Sequence, residues 1–255
     1  MLGAIAGDVI GSVHEYTATK TKDFPLFVEH SRFTDDSVMT IAVALSILTG
    51  QPYERGLRTL GRAFPHAGYG SMFVRWLHTD DPRPYGSWGN GSAMRVSPVG
   101  CAFDDEADVL DHARRSAEVS HDHPEGIKGA QATALAISLA RRGASKEAIR
   151  SRVTNDFGYD LSRTVDEIRP VYEFDESCMR TVPEAIIAFL DSTSFEDAIR
   201  NAISLGGDAD TLAAITGAIA EAYYGGVPEE IAAEVHRRLD PELAEIVTAF
   251  RQRYG

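Results

Sequence analysis

Asp208-Ala209-Asp210-Thr211-Leu212-Ala213-Ala214-Ile215-Thr216-Gly217-Ala218-Ile219-Ala220-Glu221-Ala222-Tyr223-Tyr224 carries both the fold signal and the chemistry of this chain. From 212 to 224 apolar residues recur at helical spacing, and Gly225 stands where such a helix should stop. The same spacing returns in 38–48, 109–119, 127–139, 186–190, 198–205 and 231–239. Ser145 and Ser194 supply side-chain oxygens at two helix starts, and Gly143 and Gly206 mark two further ends. No stretch alternates long enough for a strand, 170–174 being the nearest to one. No low-complexity linker or solenoid repeat divides the chain. The expectation is one compact all-α domain over residues 1–255.

At 255 residues the chain has room for one large domain or two small ones, with a substantial core. A hydrophobic content of 44% and a charged content of 25% suit an ordinary globular protein. A net charge of -13 argues against non-specific binding to nucleic acid or to anionic membranes, which needs a basic surface. It leaves room for an anionic small molecule held by metals and backbone N–H groups. Cys101 and Cys178 have no paired spacing, so neither a zinc knuckle nor a disulfide framework is indicated. The apolar run 2–13 lacks a basic flank and is broken by Asp8, which fits neither a signal peptide nor a membrane span. A cytoplasmic location is the default expectation. Oligomeric state is not legible.

The chemistry lies in two acidic clusters, Thr34-Asp35-Asp36-Ser37 and Asp208-Ala209-Asp210-Thr211, each just ahead of a helical run. Asp, Ser and Thr at such positions commonly cap the helix N-terminus and complement its dipole. A cap needs one oxygen, however, and each cluster offers two carboxylates with hydroxyls. Asp35 and Asp36 are adjacent and cannot both cap one amide. Asp208 and Asp210 alternate, so an extended loop would point both to one side. Oxygen donors without His or Cys select Mg²⁺, Mn²⁺ or Ca²⁺ over zinc. The segments 15–36, 78–92 and 154–180 are long and polar, as site-building loops tend to be. Glycines 86, 89 and 91 allow either close approach to anionic oxygens or a plain turn.

These residues together resemble the ADP-ribosylglycohydrolases, the group that includes the dinitrogenase reductase-activating glycohydrolase. The resemblance covers nearly the whole chain. It is carried by Gly3 through Gly11 with Glu15, by Phe33-Thr34-Asp35-Asp36-Ser37, by Gly86-Ser87-Trp88-Gly89-Asn90-Gly91-Ser92-Ala93-Met94-Arg95, by Ser120-His121, and by Leu205 through Thr211. Ser37 stands where the family usually has threonine, and the hydroxyl is kept. The resemblance implies an orthogonal multi-helix domain with a binuclear metal site between helix N-termini and loops.

Its implied ligands are Thr34, Asp35, Asp36, Asp208, Asp210 and Thr211, around two divalent cations, Mg²⁺ first and Mn²⁺ second. Ser87, Trp88, Gly89, Asn90, Gly91 and His121 are the implied substrate contacts, and Asp36 and Glu15 the catalytic carboxylates. The implied reaction releases ADP-ribose from a conjugate, with a modified arginine side chain the leading acceptor. Cleavage at the anomeric carbon passes through an oxocarbenium-like state, which needs a carboxylate to manage the proton.

Two other readings stand beside this one. A binding module would hold ADP-ribose without turnover, although it would be free to lose the clustered aspartates. An HD-type phosphohydrolase would use His121-Asp122, with His66 or His78 as a partner, and would leave both acidic clusters unexplained. Arg95 reads as a structural ion-pair partner, and His112 and His236 as surface residues.

Overall fold

The computed structural model describes residues 1–255 as fifteen helices and no strand. In chain order these are α1 (Leu2–Gly11), α2 (Asp35–Thr49), α3 (Tyr53–Ala63), α4 (Ser71–His78) and α5 (Gly91–Met94). Then come α6 (Ser97–Ala102), α7 (Glu106–Glu118), α8 (Pro124–Arg141), α9 (Lys146–Phe157) and α10 (Val165–Ile168). The last five are α11 (Cys178–Leu190), α12 (Phe195–Ser204), α13 (Ala209–Tyr224), α14 (Glu229–Arg238) and α15 (Pro241–Tyr254).

Local chemistry sets most of the boundaries. Ser145 and Ser194 accept from the Ala148 and Asp197 amides, which satisfies donors that the first turns of α9 and α12 leave free. Gly225 closes α13 in the left-handed region that a side chain would disfavour. No helix is long and apolar enough to cross a membrane.

Helix α13 is the hub, with α1, α8, α11 and α12 packed around it, and every residue from Ala209 to Ala220 is buried. Each Leu or Ile buried there contributes about 1.5–3 kcal/mol relative to exposure. Helix α1 lies so close to α13 that no side chain fits between the backbones. A Cβ on Gly3 would sit 2.2 Å from the Gly217 carbonyl oxygen, one on Gly7 2.0 Å from that of Ala213, and one on Gly11 2.5 Å from the Asp210 Cα. Glycines at i, i+4 and i+8 therefore form one flat face of α1.

Three departures from the sequence reading have physical reasons. Helix α3 escapes the apolar pattern because Gly56 and Gly61 interrupt it. Both mark close packing: a Cβ would meet Ser46 Oγ at 2.1 Å in one case and a Leu77 methyl at 2.6 Å in the other. The stretch 170–174 is not a strand; it is turn and irregular chain, and the sole bridge in the protein is the isolated pair Gly89 and Ser177. The supposed loop 154–180 is occupied in part by the end of α9 and by α10, whose Thr164 and Glu167 form a capping box.

Candidate active site

Helix α1 brings the two acidic clusters together. Its glycine face seats the first turn of α13. From another face Asp8, fully buried, accepts from the Thr34 amide at 2.9 Å, the Thr34 hydroxyl at 2.7 Å, the Ser37 amide at 3.0 Å and the Ser37 hydroxyl. Burial pushes the Asp8 carboxyl up, and these four donors pull it back. The acid that interrupts the apolar N-terminal run is thus the clamp on the first cluster, a role that went unread in the sequence. The serine following Asp36 also finds its use here, as a donor to Asp8.

With Thr34 accepting from the Asp36 amide at 3.3 Å, the capping duty of α2 is discharged by a hydroxyl. Asp35 and Asp36 are left free of it. Asp36 Oδ2 accepts from the Thr211 hydroxyl at 3.2 Å, across the gap between clusters, while its Oδ1 is buried with no partner at all. On the opposite side Asp208 and Asp210 are not on an extended loop. Asp208 is the N-cap residue of α13 and Asp210 lies in its first turn, after a sharp bend at Gly206 and Gly207 with φ of 65° and 130°. Asn90 Nδ2 donates to Asp208 Oδ2 at 2.6 Å and to Thr181 Oγ1 at 3.1 Å.

Carboxylate oxygens of Glu15, Asp208 and Asp210 lie within 4.8 Å of one another. Glu15, expected as a proton-handling group, therefore stands among candidate ligands. Asp35, Asp36, Thr34 and Thr211 line the same cleft outside that tight trio. Burial first, then repulsion from neighbouring acids, pushes Asp36 and Asp210 well above the usual carboxylate range and Asp35 up to about 8. So many carboxyls cannot all ionise in a dry pocket without cations beside them. The unpartnered Asp36 oxygen and an all-oxygen donor set suit hard divalent cations, while the positive ends of α2 and α13 favour the ionised carboxylates themselves. The residues fit such ions.

The cleft has a volume of about 400 Å³ and joins the acids to the loop holding Ser87, Gly89, Asn90 and Gly91. That loop is pinned to the segment before α11: the Asn90 amide donates to the Glu176 carbonyl at 2.7 Å, and the Cys178 amide to the Trp88 carbonyl at 3.0 Å. It does not offer the open run of amides its glycines suggest. The Gly86 amide goes to Asp122 and the Gly89 amide to Ser87 Oγ, at 2.7 and 3.1 Å. Trp88 is 49% exposed and does not line the cleft, so it falls outside the pocket expected for it. Asn90 is committed to bracing Asp208.

His121 is buried, with Nδ1 2.8 Å from Ser120 Oγ and Nε2 over the glycine loop, 3.1 Å from where a Gly91 Cβ would stand. Burial, with Arg95 nearby, holds its imidazole well below the usual range and therefore neutral near pH 7. Asp122 is used by Gly86, and no second histidine joins an acidic group here, which disfavours the HD-type arrangement. Arg95 is not an ion-pair partner; it lines the cleft and bonds the Ser116 carbonyl and Ser120. His112 is no free surface group either, being half-buried, 2.8 Å from the Tyr53 hydroxyl and stacked on Phe103. His236 is likewise half-buried. Tyr16, Phe73, Tyr85 and Glu176 also line the cleft without having been singled out in the sequence. Their sequence surroundings carry no motif.

Because Asp8 holds Thr34 and Ser37 from behind, Asp8→Asn is expected to weaken divalent-cation binding by roughly 10- to 100-fold. Titration with Mn²⁺ followed by its electron paramagnetic resonance signal reads this, and unchanged affinity would show that the clamp is dispensable.

An all-helical fold that gathers carboxyls at two helix N-termini beside a glycine-lined cleft is that of the ADP-ribosylglycohydrolases. The sequence model of that family, ADP-ribosylglycohydrolase, matches residues 1–255, and the chain belongs to the family. It is 27% identical to the ADP-ribosylhydrolase ARH3 of Homo sapiens, over 90% of this chain and 86% of that protein. It is 24% identical to the ADP-ribosylarginine hydrolase Tri1 of Pseudomonas putida, over 90% of this chain and 71% of that one. A solved structure described as an ADP-ribosylglycohydrolase-related protein complex superposes with a TM-score of 0.70 at 26% identity, covering 100% of this chain and 97% of the other.

Proposed function

We propose that this chain hydrolyses the glycosidic bond between ADP-ribose and an acceptor, with divalent cations, Mg²⁺ before Mn²⁺, and an ADP-ribosylated arginine as the leading acceptor. The observation that carries the reading is the unpartnered Asp36 Oδ1, buried opposite the Glu15, Asp208 and Asp210 group in the cleft that holds the glycine loop. A buried carboxyl oxygen without a donor points to a partner that binds there, and a cation would also let the crowded acids ionise.

Thr34, Asp35, Asp36, Asp208, Asp210 and Thr211 hold the cations in this reading, with Glu15 at their edge. Bound divalent ions supply charge neutralisation and Lewis acidity at the ribose hydroxyls and the attacking water. Ser87, Gly89 and Gly91, with His121 above them, shape the floor for the ADP-ribose unit. Glu15 from the loop after α1 and Asp36 from the floor are the carboxyls placed to move the proton.

Arginine is favoured by the cleft mouth. Glu15 and Glu176 give it negative charge, and Tyr16 stacks on Phe174 with ring centroids 6.2 Å apart, both rings exposed. A guanidino group meets carboxylates and aromatic faces there at once. A serine linkage would use neither.

The deciding assay follows release of free ADP-ribose from arginine- and serine-modified peptides by mass spectrometry, with Mg²⁺, with Mn²⁺ and with EDTA. Metal-dependent release from the arginine peptide is expected. Release from the serine peptide alone would overturn the acceptor, and tight ADP-ribose binding with no release from either would favour a binding module.

A further inference from the structure

Arg95 is the one lysine or arginine side chain buried in this protein, at 1% exposure. Buried cations are normally paired, because taking a lone charge out of water is costly. Arg95 has no carboxylate partner. Its Nη2 donates to the Ser116 carbonyl at 2.8 Å and to Ser120 Oγ at 2.9 Å, and its Nε has no partner. The ionisable groups facing it favourably are the Tyr85 phenol and the Cys178 thiol, each pushed up to about 12 by burial, so both are neutral near pH 7. The Phe73 ring, 5.9 Å from Cζ, is a weak partner at best.

This uncompensated cation lines a cleft crowded with acids, whose one other arginine, Arg32, is exposed to solvent. Several amides of the glycine loop are already used within the protein, those of Gly86, Gly89 and Asn90 among them. The amides without such a partner, those of Ser87, Trp88 and Gly91, offer partial charges only, and Arg95 is the buried full charge beside them.

A hydrogen-bond chain leads from Arg95 to the cleft. Ser120 Oγ accepts from the guanidinium, which can only donate, and lies 2.8 Å from His121 Nδ1. The chain continues into the cleft when the Ser120 hydroxyl donates to Nδ1. His121 then carries its proton on Nε2, over Gly89 and Gly91.

We propose that Arg95 is the buried counter-charge for the diphosphate of the ADP-ribose unit and, through Ser120, the residue that fixes His121 as an Nε2–H donor into the cleft. The inference rests on the ADP-ribose reading given above. Arg95 is a positioning residue, balanced only when a dianion occupies the cleft.

The test is calorimetric titration of the intact protein and of Arg95→Met with two probes, ADP-ribose and uncharged adenosine, at constant Mg²⁺. Arg95→Met is expected to weaken ADP-ribose by roughly 30-fold or more and adenosine by less than about 3-fold. Equal losses for both probes, or none for ADP-ribose, would overturn the inference. Should Arg95→Met fail to fold, Ser120→Ala decides, with nitrogen-15 shifts of the His121 ring as the readout. Loss of the Nε2–H tautomer together with selective weakening of ADP-ribose supports the relay, while an unchanged tautomer and affinity sink it. A wild-type protein that does not bind ADP-ribose removes the underlying reading itself, whatever Arg95 does.

Discussion

Asp210→Asn and Asp35→Asn should each abolish turnover while the helical circular-dichroism signal stays close to that of the wild type. Both carboxyls line the cleft, and Asp210 is one of the three whose oxygens converge. In the proposed reading each is a cation ligand, and its loss would remove charge stabilisation worth about 4 kcal/mol, or roughly 10³-fold in rate. The fold should not suffer, because Thr34, not an aspartate, caps α2, and α13 begins without a side-chain cap. Asparagine also relieves crowding among buried acids, so the metal-free variants should melt no lower than the metal-free wild type. Mg²⁺ at 100 times its dissociation constant should stabilise the wild type by about 2.7 kcal/mol, roughly 5–10 °C, and the variants much less. Melting curves with Mg²⁺ and with EDTA check this. Collapse of the helical signal would mean that the clusters are scaffold first and site second.

Gly7→Ala should be the most damaging single methyl in the protein. The added Cβ would lie 2.0 Å from the Ala213 carbonyl oxygen and 2.6 Å from the Ala214 amide nitrogen. Both are backbone atoms of the central helix, so no rotamer change relieves the clash and α1 must move away from α13. A cost of about 3 kcal/mol is expected, or roughly 6–12 °C in melting temperature. Gly50→Ala is the contrast. It meets nothing within 4 Å and carries only the strain of a φ of 69°, about 1 kcal/mol. Gly11→Ala separates packing from function, because the first atom it meets is the Asp210 Cα, at 2.5 Å. Its loss of metal affinity should exceed what its loss of stability suggests. Equal melting temperatures for Gly7→Ala and Gly50→Ala would show that the two helices are not in backbone contact.

Sequence periodicity exposed the helices whose apolar faces run unbroken, α2, α8 and α13 among them. It hid α3, because glycines that allow close packing look locally like helix breakers. It also passed over α15, where Leu243, Val247 and Phe250 are the buried positions of a mostly polar segment. The acidic clusters were legible as chemistry, yet nothing in their spacing says that they meet; family resemblance supplied that. The role of Asp8 went unread and that of Arg95 was misread for one reason. A charge inside an apolar or glycine-rich run has a meaning set by partners far along the chain: Thr34 and Ser37 for Asp8, Ser116 and Ser120 for Arg95. Trp88 erred the other way, since a tryptophan among glycines suggests a sugar platform while the chain turns it outward.

The seating of α1 on α13 also orders events in time. The amide of Gly3 reaches the carboxylate of Glu221 at 2.7 Å, across 218 positions of chain. Such remote pairing is slow to form, since a long loop must close before any contact rewards it. During synthesis the first helix is finished long before its seat exists, and its apolar faces must wait uncovered. Asp36 and Asp210 cannot face one cleft until that wait ends. A cation held by both clusters, as proposed, would therefore mark a chain whose first helix is already seated.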